Sequence, residues 1–238
     1  MKTYCISDLH GHYDKLMNFV ETLNENDKVF VLGDVVDKGP EAIKCLQYVM
    51  SDNRFEMLLG NHEYMMYCLL SAEPHSYEYH KAYDLWVNWN EGRETLNQYN
   101  KLDPFTKEDI YGYIKNLPLC IPNVKVNDKS FYLVHSCPNG NKQIKMSDLA
   151  YDDDMIATYI WDRVNPQDKL KIDDQVVIAG HTVVHLHLGI KVDEVRPVYD
   201  TQDIKDAHYI DIDGGLATGL DNSRLIALRL DDLSYKLY

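Results

Sequence analysis

Residues 28–37 read Lys-Val-Phe-Val-Leu-Gly-Asp-Val-Val-Asp, a short apolar run that passes directly into a glycine and two acids. A run of this kind, bounded by glycine and acidic residues, is typical of a buried strand that ends in a loop. The carboxyl ends of such strands are where α/β sheets carry their functional loops. We therefore predict a strand at 28–32, with Asp34 and Asp37 in the loop that follows it.

The same pattern recurs at four other places in the chain. Apolar runs lead into Asp8-Leu9-His10-Gly11, Gly60-Asn61-His62-Glu63, Val134-His135 and Gly180-His181. Apolar residues follow helical spacing at 16–23, between the run before Asp8 and the run at 28–32. They do so again at 43–50, after Pro40 and before the run that leads into Gly60. This order of strands and helices predicts an α/β fold with a parallel sheet and right-handed crossovers.

The rest of the chain divides into a helical part and a strand-rich part. Residues 64–118 are rich in Tyr, Met, Trp and acidic residues without a strand pattern, so we predict several helices beside the site. Strands are also predicted at 3–7, 55–59, 130–134, 175–179, 208–212, 225–230 and 234–237. The last three lie close together, which favours a meander in a second sheet. We expect a single domain, 1–238, with a helical subregion at about 64–118.

The helical subregion contains an aromatic cluster. Tyr79, Tyr83, Trp86 and Trp89 follow helical spacing. This spacing favours packing against other helices, and the alternative is contact with a substrate.

The composition argues against several classes of protein. The 238 residues carry 24 Lys and Arg against 38 Asp and Glu, a formal net charge of −14, which disfavours a broad nucleic-acid surface. Five cysteines with no Cys-x-x-Cys pair argue for a reducing compartment. No apolar run approaches the ~18 residues of a membrane span, and the first motif starts at Asp8, too early for a signal peptide. We therefore expect a cytoplasmic protein that binds neither membranes nor nucleic acid.

The recurring loops supply Asp, Asn and His but no Cys. This donor set suits divalent metals such as Mn²⁺, Fe²⁺ or Zn²⁺. The six candidate ligands are Asp8, His10, Asp34, Asn61, His135 and His181. Asp34 can bridge two ions, and ions ~3.5–4 Å apart that share an activated water support in-line displacement at phosphorus. The sequence thus predicts a phosphoester hydrolase with two metals.

Four further residues are candidates for proton transfer and phosphate binding. His62 directly follows Asn61 and is a candidate general acid for the leaving oxygen. Asp37 could orient His62 by accepting the proton of its other ring nitrogen. Lys38 and Arg163 are candidates for binding the substrate phosphate, Lys as a point charge and Arg as a planar fork.

Together the motifs resemble the calcineurin-like metallophosphoesterase superfamily, and within it the bacterial and phage-like phosphoprotein phosphatases. The motifs span residues 8–182, and residues 209–230 look like the closing β segment of the family. The resemblance implies an α/β fold in which a β-sandwich of two sheets carries helices on both outer faces, with the helical stretch as an insertion.

The resemblance also implies roles for individual residues. Asp8, His10 and Asp34 would hold a first metal, and Asp34, Asn61, His135 and His181 would hold a second. His62 paired with Asp37 would be the general acid. Trp161-Asp162-Arg163 resembles the bacterial Trp-x-Arg segment, so Arg163 would grip the phosphate.

The chain departs from the family pattern at four places. Lys38 stands where the family has Arg in Gly-Asp-x-Val-Asp-Arg-Gly, which keeps the charge but loses the bidentate fork. Leu59 stands where protein phosphatases often carry Arg before Gly-Asn-His-Glu. Ser136-Cys137 replaces the Gly-Gly or Ala-Gly that follows the central His of the family, here His135. Val183 takes the place of a second His, as is typical of the phosphoprotein phosphatase branch, and leaves the first metal fewer protein ligands.

The leading hypothesis is a metal-dependent phosphatase acting on phosphomonoesters, above all phosphoserine and phosphothreonine in proteins. The alternative is hydrolysis of diadenosine tetraphosphate or a related nucleotide, because that branch shares the motifs. A scaffold without chemistry is disfavoured because all six ligands, His62 and Asp37 are present. A nuclease is disfavoured by Val183 and by the charge of −14. Manganese is the expected metal, with iron or zinc as alternatives.

Overall fold

A computed structural model describes residues 1–149, 153–165, 170, 172–186 and 194–238, and within them the strands form two five-stranded sheets. The first sheet contains Thr3–Ile6 (β1), Lys28–Val31 (β2), Phe55–Met57 (β3), Ile226–Arg229 (β9) and Tyr235–Leu237 (β10). The second contains Cys120–Val126 (β4), Lys129–Val134 (β5), Gln175–Ala179 (β6), Val198–Tyr199 (β7) and Tyr209–Asp211 (β8). The two sheets confirm the predicted α/β fold with a β-sandwich.

Strand pairing brings the predicted loops together. The first sheet has the order β10-β9-β1-β2-β3, in which β1, β2 and β3 are parallel and β9 runs antiparallel to β1. The second has the order β4-β5-β6-β8-β7, in which β5, β6 and β8 are parallel. Because parallel strands end at the same edge of a sheet, the loops after each of these two sets lie together.

Helices connect and cover the strands. They are Tyr13–Val20 (α1), Ala42–Ser51 (α2), Asn61–Ser71 (α3), Tyr77–Tyr83 (α4), Arg93–Asn100 (α5), Pro104–Lys115 (α6) and Asp153–Ile160 (α7), with a π-helical turn at Asp84–Asn88. Short 3₁₀ turns occur at Met146–Asp148, Val184–Leu186, Ile204–Asp206 and Leu216–Thr218. Helices α3 to α6 follow one another between Asn61 and Lys115. None of the described helices has both the length and the hydrophobicity that a membrane span needs.

The inner strands of the two sheets are largely buried on both faces, which creates two apolar layers. Phe30 of β2 packs with Phe131 and Ile178 in a layer that both sheets share. Its neighbours Val29 and Val31 belong to a second layer, which also contains helix residues. Successive side chains of a strand point to opposite faces, so one face needs the other sheet and the other face needs helices.

The prediction that the last three strands form a meander in the second sheet is wrong. β8 pairs with β6 in the second sheet, whereas β9 pairs with β1 and β10 pairs with β9 in the first. The apolar pattern of a strand records that it is buried. It does not record which sheet the strand joins, so short turns alone could not assign the partner.

The sequence pattern does not predict β4 or β7, which are the edge strands of the second sheet. β4 contains Pro122 and Asn123, and its register with β5 shifts between Ile121 and Val124. Pro and a β-bulge are both tolerated at the edge of a sheet, where they obscure the alternating pattern.

Candidate metal centre

The six predicted ligands lie on five loops that meet at the carboxyl ends of the strands. They follow β1, β2 and β3 in the first sheet and β5 and β6 in the second. Asp8, His10, Asp34 and His181 have positive φ angles of 52°, 43°, 53° and 66°. Positive φ is uncommon outside glycine and is found at sites where surrounding contacts hold the backbone.

Backbone hydrogen bonds tie the first two loops together. The N–H of Asp8 donates to Gly33 O (3.1 Å), that of His10 to Asp34 O (3.0 Å), and that of Gly11 to Val35 O (2.9 Å). These bonds continue the parallel pairing of β1 and β2 beyond the strands. The backbone positions from which Asp8, His10 and Asp34 extend are therefore held close together.

Glu63, which is not among the residues predicted for the site, anchors the loop after β2. Its buried carboxylate accepts the N–H groups of Asp34 (2.9 Å), Val35 (2.8 Å), Val36 (3.1 Å) and Gly60 (3.2 Å). Burial, and then the charge of Asp34, raise the pKa of Glu63 to about 7. The available signal was its place as the third residue of α3, where Glu reaches back to the residue before the helix.

Asp34 lies between the histidines. Its Oδ2 is 3.7 Å from His10 Nε2, 3.5 Å from His135 Nε2 and 4.0 Å from His62 Nε2. Its Oδ1 accepts the backbone N–H of His62 at 3.0 Å. One carboxylate oxygen thus faces three imidazole nitrogens at distances that leave room for an ion between them.

The other ring nitrogens of these histidines are held by backbone carbonyls. His10 Nδ1 lies 3.1 Å from Val36 O, and His135 Nδ1 lies 2.7 Å from Leu32 O. A proton donated to a carbonyl from Nδ1 leaves the lone pair of Nε2 for a metal, as is usual for metal-binding histidines. His181 differs, because its Nε2 lies 3.2 Å from Trp161 O and Nδ1 is left as the ligand atom.

Burial keeps most of these histidines neutral. It lowers the pKa of His10 to about 3, with a further contribution from His62, and lowers the pKa of His181 to about 3, with a contribution from His135. Burial also lowers the pKa of His135. A neutral imidazole is the form that binds a metal.

Among the residues that the structure describes, two groups of side chains could hold metal ions, and they share Asp34. His10, Asp34 and His62 form one group, and Asp34, His135 and His181 form the other, with the ligand atoms of each group within 4.8 Å of one another. His62 enters the first group, although the sequence predicts it as a general acid.

The two remaining predicted ligands adjoin these groups. Asn61 Oδ1 lies 3.0 Å from His135 Nε2. Asp8 Oδ1 lies 3.8 Å from His10 Nε2, and its Oδ2 accepts from the Ser7 hydroxyl and from the His181 N–H (3.1 Å). All six predicted ligands therefore converge.

The charge of the site also fits divalent cations. Asp8, Asp34 and Asp213 are almost completely buried. Burial and the nearby Asp213 and Asp34 raise the pKa of Asp8 well above its ordinary value, and burial and Asp211 raise the pKa of Asp213 to about 8. No Lys or Arg of the described residues forms an ion pair with these three carboxylates. Buried acids without a cation are costly, and bound metals would remove that cost.

His62 and Asp37 form the predicted pair. His62 Nδ1 lies 2.7 Å from Asp37 Oδ2, and both side chains are buried. Burial alone would lower the pKa of His62, but Asp34 and the hydrogen bond to Asp37 raise it above the ordinary value. His62 is thus the histidine of the site that favours the protonated form, which suits a proton donor.

The two predicted phosphate-binding residues lie at the rim and differ in their partners. Lys38 Nζ donates to Glu91 Oε1 at 2.7 Å, so its charge is already paired. Arg163 is exposed, and its Nη1 donates to Thr182 Oγ1 (3.0 Å) and His181 O (3.5 Å). Arg163 therefore lies beside one predicted metal ligand, with its guanidinium accessible to a phosphate.

A family model of the calcineurin-like phosphoesterases matches residues 1–185, which include every predicted site residue. A symmetrical bis(5'-nucleosyl)-tetraphosphatase of Buchnera aphidicola (subspecies Acyrthosiphon pisum, strain 5A) is 39% identical over 67 residues. That match covers 26% of this chain and 24% of the relative. The chain thus matches about a quarter of the length of such curated relatives.

Two solved structures share the fold. A metallophosphoesterase from Sphaerobacter thermophilus has a TM-score of 0.60 at 16% sequence identity, covering 100% of this chain and 88% of that one. A putative diadenosine tetraphosphatase has a TM-score of 0.55 at 14% identity, covering 100% of this chain and 92% of that one. At these identities the likeness concerns the fold.

Proposed function

The chain belongs to the calcineurin-like phosphoesterase family, and we propose that it is a hydrolase with two metals that cleaves the polyphosphate chain of a dinucleoside polyphosphate. The observation that carries the proposal is the position of Asp34, whose Oδ2 lies 3.7 Å from His10 Nε2 and 3.5 Å from His135 Nε2. A carboxylate that lies between His10 on one side and His135 on the other, both of them neutral, is the arrangement that two-metal phosphoester hydrolases need.

We assign the metal ligands as the sequence predicts them. Asp8, His10 and Asp34 would hold one ion, and Asp34, Asn61, His135 and His181 would hold the other. When bound, two divalent cations would supply Lewis acidity toward the phosphoryl oxygens and acidify a water molecule for attack at phosphorus. Manganese stays the predicted metal. Iron and zinc are the alternatives, because oxygen and nitrogen donors accept them as well.

The protein groups would act on the leaving side of the reaction. His62 Nε2 would donate a proton to the leaving oxygen, while Asp37 holds the opposite ring nitrogen through the 2.7 Å contact. Arg163 would bind a non-bridging phosphate oxygen from the rim. Glu63 would hold the loop of Asp34 in place through its backbone hydrogen bonds.

The choice of a dinucleoside polyphosphate rests on two supports. The curated relatives that share 67 residues with this chain are symmetrical bis(5'-nucleosyl)-tetraphosphatases. In addition, two positions at which protein phosphatases carry Arg do not carry one in this chain. Lys38 is paired with Glu91, and Leu59, in the place where such phosphatases often carry Arg, is completely buried.

The phosphoserine and phosphothreonine phosphatase predicted from the sequence is the second candidate. It is favoured by Arg163, whose exposed guanidinium lies where a phosphate carried by a protein surface could meet it. Arg matches a phosphate oxygen pair bidentately, so one such residue supports phosphomonoester binding. The same site would serve either substrate.

A direct comparison of substrates tests the proposal. The purified protein with Mn²⁺ is given diadenosine tetraphosphate and a phosphoserine peptide in parallel, and ADP and inorganic phosphate are measured. We expect ADP from the dinucleotide, with slower or no release of phosphate from the peptide. Asp34→Asn serves as the inactive control. Turnover of the peptide alone would replace the first candidate by the second, and turnover of neither would contradict both.

A further inference from the structure

The helical insertion reaches the site through residues 84–95, here termed the 84–95 segment, which includes the π-helical turn Asp84–Asn88 and the start of α5. Three hydrogen bonds join it to the loop after β2. Trp86 Nε1 donates to Asp37 Oδ2 (2.6 Å), Asp37 N donates to Thr95 Oγ1 (3.1 Å), and Lys38 Nζ donates to Glu91 Oε1 (2.7 Å). The segment thus contacts the residue that pairs with His62.

Both side-chain donors to Asp37 use the same oxygen. Oδ2 accepts from His62 Nδ1 at 2.7 Å and from Trp86 Nε1 at 2.6 Å. The other oxygen, Oδ1, is buried and has no hydrogen-bond partner among the residues that the structure describes. Asp37 also has a positive φ of 71°. The direction of its carboxylate therefore depends on Trp86 as much as on His62.

We propose that Trp86 is a positioning residue for the His62–Asp37 pair. Its indole N–H holds Asp37 Oδ2 where that oxygen accepts the proton of His62 Nδ1. The contact in turn fixes the imidazole so that Nε2 faces Asp34, 4.0 Å away. This inference rests on the proposed role of His62 as general acid, and it gives the aromatic cluster a function beyond the packing predicted from its spacing.

Gly92 makes this position of the indole possible. A Cβ atom at residue 92 would lie 2.4 Å from Trp86 Nε1, 2.5 Å from Cε2 and 2.6 Å from Cδ1. These distances are shorter than any real Cβ contact, so a side chain would displace the ring and its N–H from Asp37. The reason for glycine here is space, because its φ of −71° is open to any residue.

The chain offers matched controls for both positions. Trp89 lies in the same segment, but its side chain is 73% exposed, whereas Trp86 is completely buried. Gly112 lies in α6, and a Cβ atom there would have no neighbour within 4 Å. Trp89→Phe and Gly112→Ala therefore change the same residue types without touching the His62–Asp37 pair.

The first experiment compares two leaving groups. A nitrophenolate departs as a stable anion, whereas a phenolate needs a proton, so the phenyl ester of ADP requires a well-placed general acid far more than its p-nitrophenyl ester does. In the metal-loaded enzyme, Trp86→Phe should lower kcat on the phenyl ester about tenfold or more, with a smaller loss on the p-nitrophenyl ester and a KM within about twofold. Gly92→Ala should behave similarly, and both controls should match the wild type. Equal losses on the two esters, or none, would overturn the proposal.

The second experiment needs no activity. The indole N–H signals of ¹⁵N-labelled wild-type protein are compared with those of Asp37→Asn, and the His62 ring nitrogens are compared between the wild type and Trp86→Phe. We expect Asp37→Asn to shift the Trp86 signal and speed its exchange with water, while Trp89 is unchanged. We also expect Trp86→Phe to change the His62 tautomer ratio. An unshifted Trp86 signal with an unchanged His62 ratio would refute the inference.

The two experiments separate this inference from the proposed function. A wild-type protein that hydrolyses no phosphoester contradicts the function, yet its indole and imidazole signals still report whether Trp86 holds Asp37. If Trp86→Phe does not fold, Gly92→Ala and the Asp37→Asn spectrum decide the matter in its place.

Discussion

Replacing Glu63 with Gln should destabilise the protein strongly, because the change removes one of the two carboxylate oxygens that hold the loop of Asp34. Glu63 Oε2 accepts the N–H groups of Asp34 and Gly60, and Oε1 accepts those of Val35 and Val36. An amide keeps one accepting oxygen. Its NH₂ group would face two buried backbone N–H groups, which would be left without a hydrogen-bond acceptor.

The expected size follows from those two donors. A buried donor without an acceptor costs about 1–3 kcal/mol, so Glu63→Gln should reduce the free energy of unfolding by about 2–6 kcal/mol. The whole stability of a domain is about 5–15 kcal/mol. For a chain of 238 residues each kcal/mol is worth roughly 2–4 °C in Tm, so the melting temperature should fall by about 5–20 °C.

Thermal unfolding followed by circular dichroism measures this loss, in metal-free protein and at a pH well above the pKa of about 7 of Glu63. Glu56→Gln is the matched control. Glu56 lies on β3 and forms a half-exposed ion pair with Lys28 (2.9 Å), worth at most about 1 kcal/mol. If the two variants melt at the same temperature, the carboxylate of Glu63 does not hold the loop and the reasoning fails.

Three further predictions concern the chemistry of the site. His62→Asn should lower kcat by about 10²–10⁴-fold while the metal content, measured by mass spectrometry, stays at the wild-type level; loss of metal would instead make His62 a ligand. Arg163→Ala should raise KM by about tenfold with little change in kcat, since its guanidinium lies at the rim of the site. An unchanged KM in steady-state kinetics would contradict its role in phosphate binding. The metal-free protein should lose stability as the pH rises, because folding raises the pKa of Asp213 from 3.8 to about 8 and that of Glu63 from 4.5 to about 7. The fall is expected between pH 6.5, above which His10, His135 and His181 are largely neutral in both states, and pH about 8, the folded pKa of Asp213. In that range the folded state binds more protons, so the free energy of unfolding falls with increasing pH; urea titrations that show a rise there would refute the assignment.

The loops of the site could be predicted because each follows a strand directly. An apolar run that ends in Gly33-Asp34 or Gly180-His181 marks both the strand and its carboxyl end. Parallel pairing then makes these ends neighbours, whichever strand lies in which sheet. For this reason the wrong assignment of β9 and β10 to the second sheet did not disturb the set of converging residues.

Contacts between distant positions could not be predicted in the same way. Trp86 meets Asp37 across 49 positions, and Glu91 pairs with Lys38 across 53. The helical spacing of Trp86 indicates a buried face but not the partner of its indole N–H. Likewise, no local sequence pattern predicts that Glu91 lies beside Lys38. That ion pair weakens the predicted role of Lys38 in phosphate binding.

Asp213 was missed for a different reason. It follows β8 as the other site residues follow their strands, but the prediction for residues 208–212 was a strand alone. Parallel pairing of β8 with β6 is what places Asp213 in the buried surroundings of Asp8. The available signal was Asp213-Gly214-Gly215, an acid and two glycines shortly after the predicted strand.

Anomalous diffraction from crystals of the manganese-loaded protein tests the central claim most directly. Two peaks about 3.5–4 Å apart are expected on either side of the Asp34 carboxylate, one beside His10 and the other beside His135 and His181. In Asp34→Asn crystals both peaks should weaken together, because the bridge is lost. A single peak, or manganese bound away from Asp34, would contradict a shared centre.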